Sequence, residues 1–172
     1  ETPAVTDADT GHAVHTLKDL DFLAVHDIFL TETARLADVV LPAACWPEKE
    51  GTCTNTTRAV QLLRKASDAP GEARDDWRTF VGLALRFGHE WRFDSPKDIF
   101  EEIRKLNPAY AGMSYERLEK GYLQWPCPDE DHPGTPILHK DKFARAGGKA
   151  AFSPCEWRAP HEWPDGEYPL IA

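Results

Sequence analysis

Residues 37–55 read ADVVLPAACWPEKEGTCTN, and this stretch carries a strand-like run directly into a charged loop. The apolar run DVVLP has the length and bulk of a buried parallel strand, and Pro42 closes it. After it come Glu48, Lys49 and Glu50, then a glycine and several hydroxyl-bearing residues. In open α/β sheets, ligands bind beyond the carboxyl ends of the strands. The junction is therefore where the sequence predicts a binding site.

The elements before this loop alternate between helix and strand. The pattern predicts a helix over residues 7–20 with Asp7 near its N-cap, then the strand FLAVHD at 22–27. A short helix at 31–37, capped by Thr31, leads into the strand at 38–42. This order predicts the α/β class, with a three-layer αβα arrangement and a mostly parallel, nucleotide-binding-like sheet.

Beyond the loop, the sequence predicts an extended segment at 58–63 and then helices. The first long helix follows Asp75 and ends at Gly88, and it carries an apolar stripe. The second begins at Ser95-Pro96, with Asp98 placed to complete the cap. A third, short helix is predicted in SYERLEK at 114–120.

From Leu123 the composition changes to a Pro- and Trp-rich stretch that is too broken for a helix. It predicts an ordered, irregular meander, since frequent aromatic residues argue against disorder. Residues 1–122 are therefore assigned to the αβα region, and residues 123–172 to an extended linker. The aromatic side chains expected to anchor the meander are Trp125, Phe143, Phe152, Trp157 and Trp163.

Composition excludes several classes of protein. The net charge of -9 argues against a nucleic-acid surface, which would need a basic stripe. No apolar run approaches the roughly 18 residues that span a bilayer. The four cysteines form no C-x-x-C pair, so no metal site is predicted, and free, at least partly buried thiols are expected. Because the chain opens with Glu1 and stops on the apolar run of EYPLIA, we expect an incomplete fragment of a larger multidomain subunit.

Three motifs resemble one family. HDIFLTETARLADVVLPAACWPEKEGTCTNTTRAVQ, APGEARDDW and LQWPCPDEDHPGTPIL are similar to the large catalytic subunit of molybdopterin guanine dinucleotide oxidoreductases. Within that family the similarity is greatest to formate dehydrogenase alpha subunits, and it extends over effectively the whole chain. The resemblance implies oxidation of formate to carbon dioxide, with two electrons passed to an iron–sulfur cluster.

The resemblance also implies cofactors and partners. The cofactor would be molybdopterin guanine dinucleotide with molybdenum or tungsten, and a 4Fe-4S cluster would belong to a part of the subunit outside this chain. The chain would precede a C-terminal barrel domain. Its partners would be the remaining domains of the subunit, electron-transfer subunits and the substrate formate. The expected compartment is the cytoplasm, with the periplasm left open, and the isolated fragment is expected to be inactive.

Six positions match cofactor-contacting positions of the family, and no catalytic residue or metal ligand is assigned to the chain. Asp76 would hold the nucleotide end, or Asp75 if the alignment shifts by one residue. The matching positions are Glu1, Thr2, His26, Asp27, Lys49 and Asp76.

The chemistry of these side chains agrees with such a role. A carboxylate can accept the N1–H and N2–H groups of guanine side by side, as Asp27 or Asp76 could. Lys49 beside Gly51 offers a cation and backbone N–H groups to a diphosphate. The alternatives are that Asp27 merely caps a turn and that Lys49 is a solvated charge.

Some residues depart from the family pattern. Thr57 and Ala59 replace a usual Glu-Arg pair, and Thr2 and His26 stand where other polar residues are common. These changes leave the fold prediction intact and affect individual cofactor contacts. Two other functions remain open: a nitrate reductase-like enzyme of the same superfamily, and a non-catalytic scaffold like the large subunit of NADH:quinone oxidoreductase.

Overall fold

The computed structural model of the chain describes residues 2–159 and 163–170. The chain divides into two compact units, of which the first ends at Pro136 and the second begins at Ile137. The helices and strands described below all lie in the first unit. No helix among the described residues is long and apolar enough to cross a membrane.

A two-stranded parallel sheet forms the first part of the fold. Strand β1 (Ala24–Asp27) pairs with β2 (Val39–Pro42), and the register places His26 opposite Leu41 and Asp27 opposite Pro42. The connection contains one 3-10 turn at Ala34–Leu36. The Thr31 hydroxyl accepts a hydrogen bond from the Ala34 N–H at 3.3 Å, but the N-cap of the turn is Thr33, so the short helix predicted at 31–37 with Thr31 as its cap is corrected to this turn.

A three-stranded antiparallel sheet follows it. Its strands are β3 (Gly51–Thr54), β4 (Ala59–Leu63) and β5 (Leu123–Gln124), with β4 in the centre. The mixed α/β class is confirmed, and the expectation of a mostly parallel sheet is corrected for these strands. Residues 55–58 are too few for the crossover that parallel strands need, so β3 and β4 can only form a hairpin. The three-layer arrangement stays a prediction.

The chain begins with two helices, α1 (Pro3–Thr6) and α2 (Thr10–Lys18), where the sequence predicted one. The N-cap of α2 is Asp9, whose carboxylate accepts from the His12 N–H at 2.9 Å. Asp7, the predicted cap, instead accepts from the Asp9 N–H at 3.0 Å. The separation into two helices follows from this turn, because Asp7 adopts an extended conformation and ends α1.

The later helices lie where the sequence predicts them. They are α3 (Asp76–Arg86), α4 (Pro96–Leu106) and α5 (Tyr115–Leu118). Asp75 precedes α3 as expected, but its carboxylate accepts from the indole N–H of Trp77 at 3.1 Å and makes no cap hydrogen bond. In α4 the predicted capping box is present, since Ser95 Oγ accepts from the Asp98 N–H and the Asp98 carboxylate accepts from the Ser95 N–H at 2.8 Å.

Replacing Ser95 with alanine is expected to lower the free energy of unfolding by about 1 kcal/mol at neutral pH, because the N-cap acceptor is lost. The Ser95 hydroxyl is the main cause of the lowered pKa of Asp98 in the folded chain. A lowered folded pKa contributes stability above the unfolded pKa, and this contribution disappears as the pH falls through the folded pKa. Urea unfolding of both chains from pH 7 to pH 3 should therefore show the difference shrinking in acid. An unchanged difference would contradict this assignment.

The core lies between β4, α4, α5 and the start of the irregular segment. Its buried members are Val60, Phe100, Met113, Leu118 and Cys127. Leu123 and Trp125 pack against them, so the beginning of the predicted meander belongs to the core of the first unit.

Arg58 secures this part of the meander. It adopts a positive φ of 67° in the β3–β4 turn. Its guanidinium donates to the carbonyls of Trp125, Thr135 and Pro136, and it lies 5.5 Å from the centre of the Trp125 ring. Trp125 is thereby confirmed as an anchor of the segment.

The other aromatic anchors give a mixed result. Phe143 stacks on His139 with ring centres 4.7 Å apart. Phe152 is 100% exposed, and Trp157 and Trp163 are also exposed although their rings meet edge to face. The prediction that these three bury themselves as anchors is wrong for the described chain, because no apolar surface within the second unit covers them. The assignment of residues 123–172 as a linker toward a barrel domain stays a prediction.

All four cysteines are free. Cys127 is buried, while Cys45 and Cys53 are partly exposed, as expected. Cys155 is exposed, which corrects the expectation for that thiol.

Candidate functional site

Three of the predicted site residues meet at the carboxyl ends of β1 and β2. Lys49 Nζ forms an ion pair with Asp76 Oδ2, and His26 Nδ1 lies 3.5 Å from Asp76 Oδ1. We call His26, Lys49 and Asp76 the carboxyl-edge cluster. Lys49 and Asp76 are 27 residues apart in the chain, so the fold itself brings them together.

Backbone pairing places the start of α3 against the end of β2. Arg74 N donates to the Pro42 carbonyl at 3.2 Å, and Ala44 N donates to the Arg74 carbonyl at 2.9 Å. Asp76 begins α3 two residues after this bridge. Asp76, the first residue of α3, therefore lies beside the end of β2 and close to His26 on the neighbouring strand β1.

A second local structure positions Lys49. The chain makes a 3-10 turn at Trp46–Glu48, in which Cys45 N donates to Glu48 Oε2 at 2.8 Å. Lys49 follows this turn in an extended conformation. The charged triplet seen in the sequence is thus divided: Glu48 stabilises the turn, and Lys49 contacts Asp76.

The carboxyl-edge cluster is partly buried and has unused hydrogen-bonding capacity. The exposed fraction of the side chain is 15% for His26, 22% for Lys49 and 44% for Asp76. His26 Nε2 is buried and has no hydrogen-bond partner within the described residues. A carboxylate offers about four acceptor positions, of which His26 and Lys49 occupy two at Asp76. A buried ring nitrogen without a partner is costly, and a polar ligand group would remove that cost.

These groups fit the polar end of a guanine nucleotide. The free acceptor positions of Asp76 suit adjacent N–H donors, as guanine presents them. His26 Nε2 can donate or accept, depending on its tautomer, toward a hydroxyl or phosphate oxygen. Lys49 holds the Asp76 carboxylate in place and supplies positive charge near an anionic ligand.

Asp27 makes different contacts. Its carboxylate accepts from the backbone N–H groups of Ile28 at 2.7 Å and Phe29 at 3.3 Å. These are the turn-capping contacts named as the alternative in the sequence analysis. Among residues 2–159 and 163–170, no hydrogen bond or ion pair joins Asp27 to the carboxyl-edge cluster. Its role as a cofactor contact stays a prediction.

The other predicted positions are not brought to the cluster by any described contact. The Thr2 carbonyl accepts from the N–H groups of Val5 and Thr6 at the start of α1, and Thr2 lines a separate hollow with Pro3 and Asp7. Glu1 lies outside the described residues. Asp75 bonds to Trp77, so Asp76 is the aspartate of the cluster.

Two arginines beside the cluster were missed by the sequence analysis. A polar cavity of ≈ 370 Å³ next to Lys49 is also lined by Arg74 and Arg78. No local signal could have paired them, because Arg78 lies in α3 while Arg74 precedes the N-cap residue Asp75 and pairs with the end of β2.

Comparison with known families defines the class of protein. A family model described as molybdopterin oxidoreductase matches residues 1–86, half of the chain, and the chain belongs to this family. The membership inferred from the sequence motifs is thereby confirmed.

Individual members of the family are similar to this chain along nearly its whole length. The F420-dependent formate dehydrogenase subunit alpha of Methanocaldococcus jannaschii is 54% identical over 173 residues, covering 99% of this chain and 26% of the relative. The assimilatory nitrate reductase catalytic subunit of Bacillus subtilis is 41% identical, covering 98% of this chain and 25% of the relative. The chain therefore spans about a quarter of the length of these relatives.

A solved structure is similar as well. Acetylene hydratase from Pelobacter acetylenicus superposes with a TM-score of 0.53 at 26% sequence identity, covering 68% of this chain and 16% of that chain. The matched region is thus a small part of a much longer chain, as it is in the relatives above.

Proposed function

We propose that this chain is the part of a formate dehydrogenase alpha subunit that holds the guanine end of a molybdopterin guanine dinucleotide. The observation that carries the proposal is the carboxyl-edge cluster, where a partly exposed carboxylate and a buried, unpartnered His26 Nε2 lie beside a lysine. The substrate assignment rests on 54% identity to a formate dehydrogenase alpha subunit along 99% of the chain.

Each residue of the carboxyl-edge cluster would make a different contact with the nucleotide or with its neighbour. Asp76 accepts the guanine N–H donors, Lys49 orients that carboxylate, and His26 contacts a sugar or phosphate oxygen through Nε2. Asp27, Thr2 and Glu1 are proposed as further contacts on the family pattern. When bound, the molybdenum or tungsten of the cofactor supplies the two-electron redox chemistry, and this chain supplies binding and orientation.

The rest of the enzyme is part of the same proposal. Electrons would leave through a 4Fe-4S cluster carried by another part of the subunit and continue to electron-transfer subunits. The remaining domains of the subunit would complete the dinucleotide site and admit formate. We propose a cytoplasmic enzyme on the same basis.

Metal and nucleotide analysis of the full-length subunit tests this function. We expect molybdenum or tungsten in the purified protein and guanine nucleotide released on denaturation. A subunit that contains neither would support the scaffold alternative and overturn the proposal.

Nitrate reduction is the second candidate, because a nitrate reductase catalytic subunit is 41% identical over nearly the whole chain. Assays of the same purified enzyme with formate and with nitrate separate the two. We expect formate-dependent reduction of an electron acceptor, and nitrate turnover without formate oxidation would favour the second candidate.

A further inference from the structure

A small cavity lies between the end of β2 and one face of α3. Its volume is ≈ 270 Å³. It is lined by Leu41, Pro42, Arg74, Arg78, Thr79, Gly82, Leu83 and Arg86. We call it the arginine cavity, because three of these eight residues are arginines and none is acidic.

The lining of the arginine cavity contains no acidic residue, although Arg74 and Arg78 also line a neighbouring cavity together with Glu48, Glu50, Asp68 and Asp75. Within the described residues, none of the three arginines forms an ion pair. Arg86 Nη1 donates to the Gly82 carbonyl at 2.9 Å, and the Arg78 guanidinium lies 4.6 Å from the centre of the Trp77 ring. Arginines that form no ion pair keep most of their guanidinium N–H donors available to an anion.

Gly82 gives the cavity its opening. It continues the four-residue spacing of Arg74 and Arg78 toward Arg86, and it carries no side chain into the space between them. A glycine inside a helix is less favourable than an alanine, so its presence here is not explained by helix formation. A Cβ built at Gly82 would lie 3.5 Å from Arg86 Nη1, so a longer side chain there would enter the cavity.

The arginine cavity lies at the same edge of the sheet as the carboxyl-edge cluster. Its residues Leu41 and Pro42 pair with His26 and Asp27 in the parallel register. Arg74 and Arg78 also line the ≈ 370 Å³ cavity that contains Lys49. Lys49, the ion-pair partner of Asp76, therefore shares a cavity with both arginines.

We propose that Arg74, Arg78 and Arg86 form the binding site for the diphosphate of the guanine dinucleotide. The inference rests on the proposed function and adds three binding residues to it. Guanidinium groups bind phosphate oxygens through paired N–H donors, which a lysine cannot do. The arginines supply this geometry, while Lys49 remains paired with Asp76.

Titration of the cofactor-free, full-length subunit with GDP and with guanosine tests the site, because the two ligands differ only in the diphosphate. We expect GDP to bind at least about tenfold more tightly than guanosine, as phosphate–arginine contacts would require. The double variant Arg74→Gln/Arg78→Gln should bring this ratio close to one and leave the guanosine affinity unchanged. Arg92→Gln, at an exposed arginine outside the cavity, is the matched control and should keep the parental ratio.

A second variant covers the case in which the double variant does not fold. Gly82→Glu places a carboxylate at helical spacing from both Arg78 and Arg86 and raises helix propensity. It should remove the preference for GDP while the protein stays folded. Either of two results overturns the diphosphate site alone. In the first, this variant binds guanosine and keeps the parental preference for GDP; in the second, the parent shows no preference for GDP. A parent that binds neither ligand overturns the proposed function together with it.

Discussion

Replacing Gly112 with alanine is expected to lower the free energy of unfolding by about 3 kcal/mol, at the upper end of the usual cost of overpacking. A Cβ at this position would overlap the carbonyl group of Asp129 and lie 3.0 Å from the Asp129 nitrogen. These atoms are backbone, so a rotamer change cannot relieve the overlap.

The surroundings of Gly112 also prevent an easy shift of the chain. Gly112 N donates to the Cys127 carbonyl at 2.8 Å, which ties the segment after α4 to the start of the meander. The Arg117 guanidinium donates to the Gly112 carbonyl at 2.6 Å and to the His132 carbonyl at 2.7 Å. Moving Asp129 away would therefore break contacts on both sides of the overlap.

Urea unfolding of the parent and the variant measures this cost. Gly11→Ala is the matched control, because the nearest atom to its added Cβ is Asp9 Oδ1 at 3.7 Å. Since Gly11 lies within α2, that change should stabilise the chain by up to about 1 kcal/mol. A Gly112→Ala variant as stable as its parent would show that the meander does not pack on this glycine as described.

Replacing Asp76 with alanine is expected to reduce retention of guanine nucleotide by the full-length subunit about ten- to a hundredfold. Hydrogen bonds to a charged group contribute about 1.5–3 kcal/mol, which corresponds to this range. The variant removes the proposed guanine acceptor, and it also leaves Lys49 and His26 without their common partner.

The measurement is the guanine nucleotide released per subunit after gel filtration, with circular dichroism to verify folding. Asp75→Asn is the control at the neighbouring aspartate, whose carboxylate contacts the Trp77 indole and lies outside the cluster. It should keep the parental nucleotide content. Asp76→Ala with full nucleotide content and an intact fold would remove Asp76 from the site.

Much of the fold could be predicted from sequence because its signals are local. The Ser95-Pro96 cap with Asp98 predicted the start of α4, and the structure shows the reciprocal hydrogen bonds. Pro42 ends β2 as expected. The helix predicted over 7–20 was wrong in its beginning, because Asp7 and Asp9 are both acceptable caps and only the contacts they make distinguish them.

The residues of the site could be predicted from the sequence, but their spatial arrangement could be predicted only in part. Residue types and motifs identified His26, Lys49 and Asp76, and the structure brings these three together. The same reasoning did not separate Asp76 from Asp75, and it did not find the arginine cavity. Both depend on how the segment at the start of α3 pairs with the end of β2, and that pairing joins residues far apart in the chain.

Local pattern was sufficient for the α/β class and for the start of α4, because each depends on residues that are close in the chain. The folded chain was needed to pair Lys49 with Asp76, to leave His26 Nε2 without a partner and to place three arginines around one cavity. These features arise from the backbone bridge between Ala43 and Arg74, which joins segments about thirty residues apart. Long-range pairing of this kind depends on the packing of the whole unit, and no short stretch of sequence encodes it.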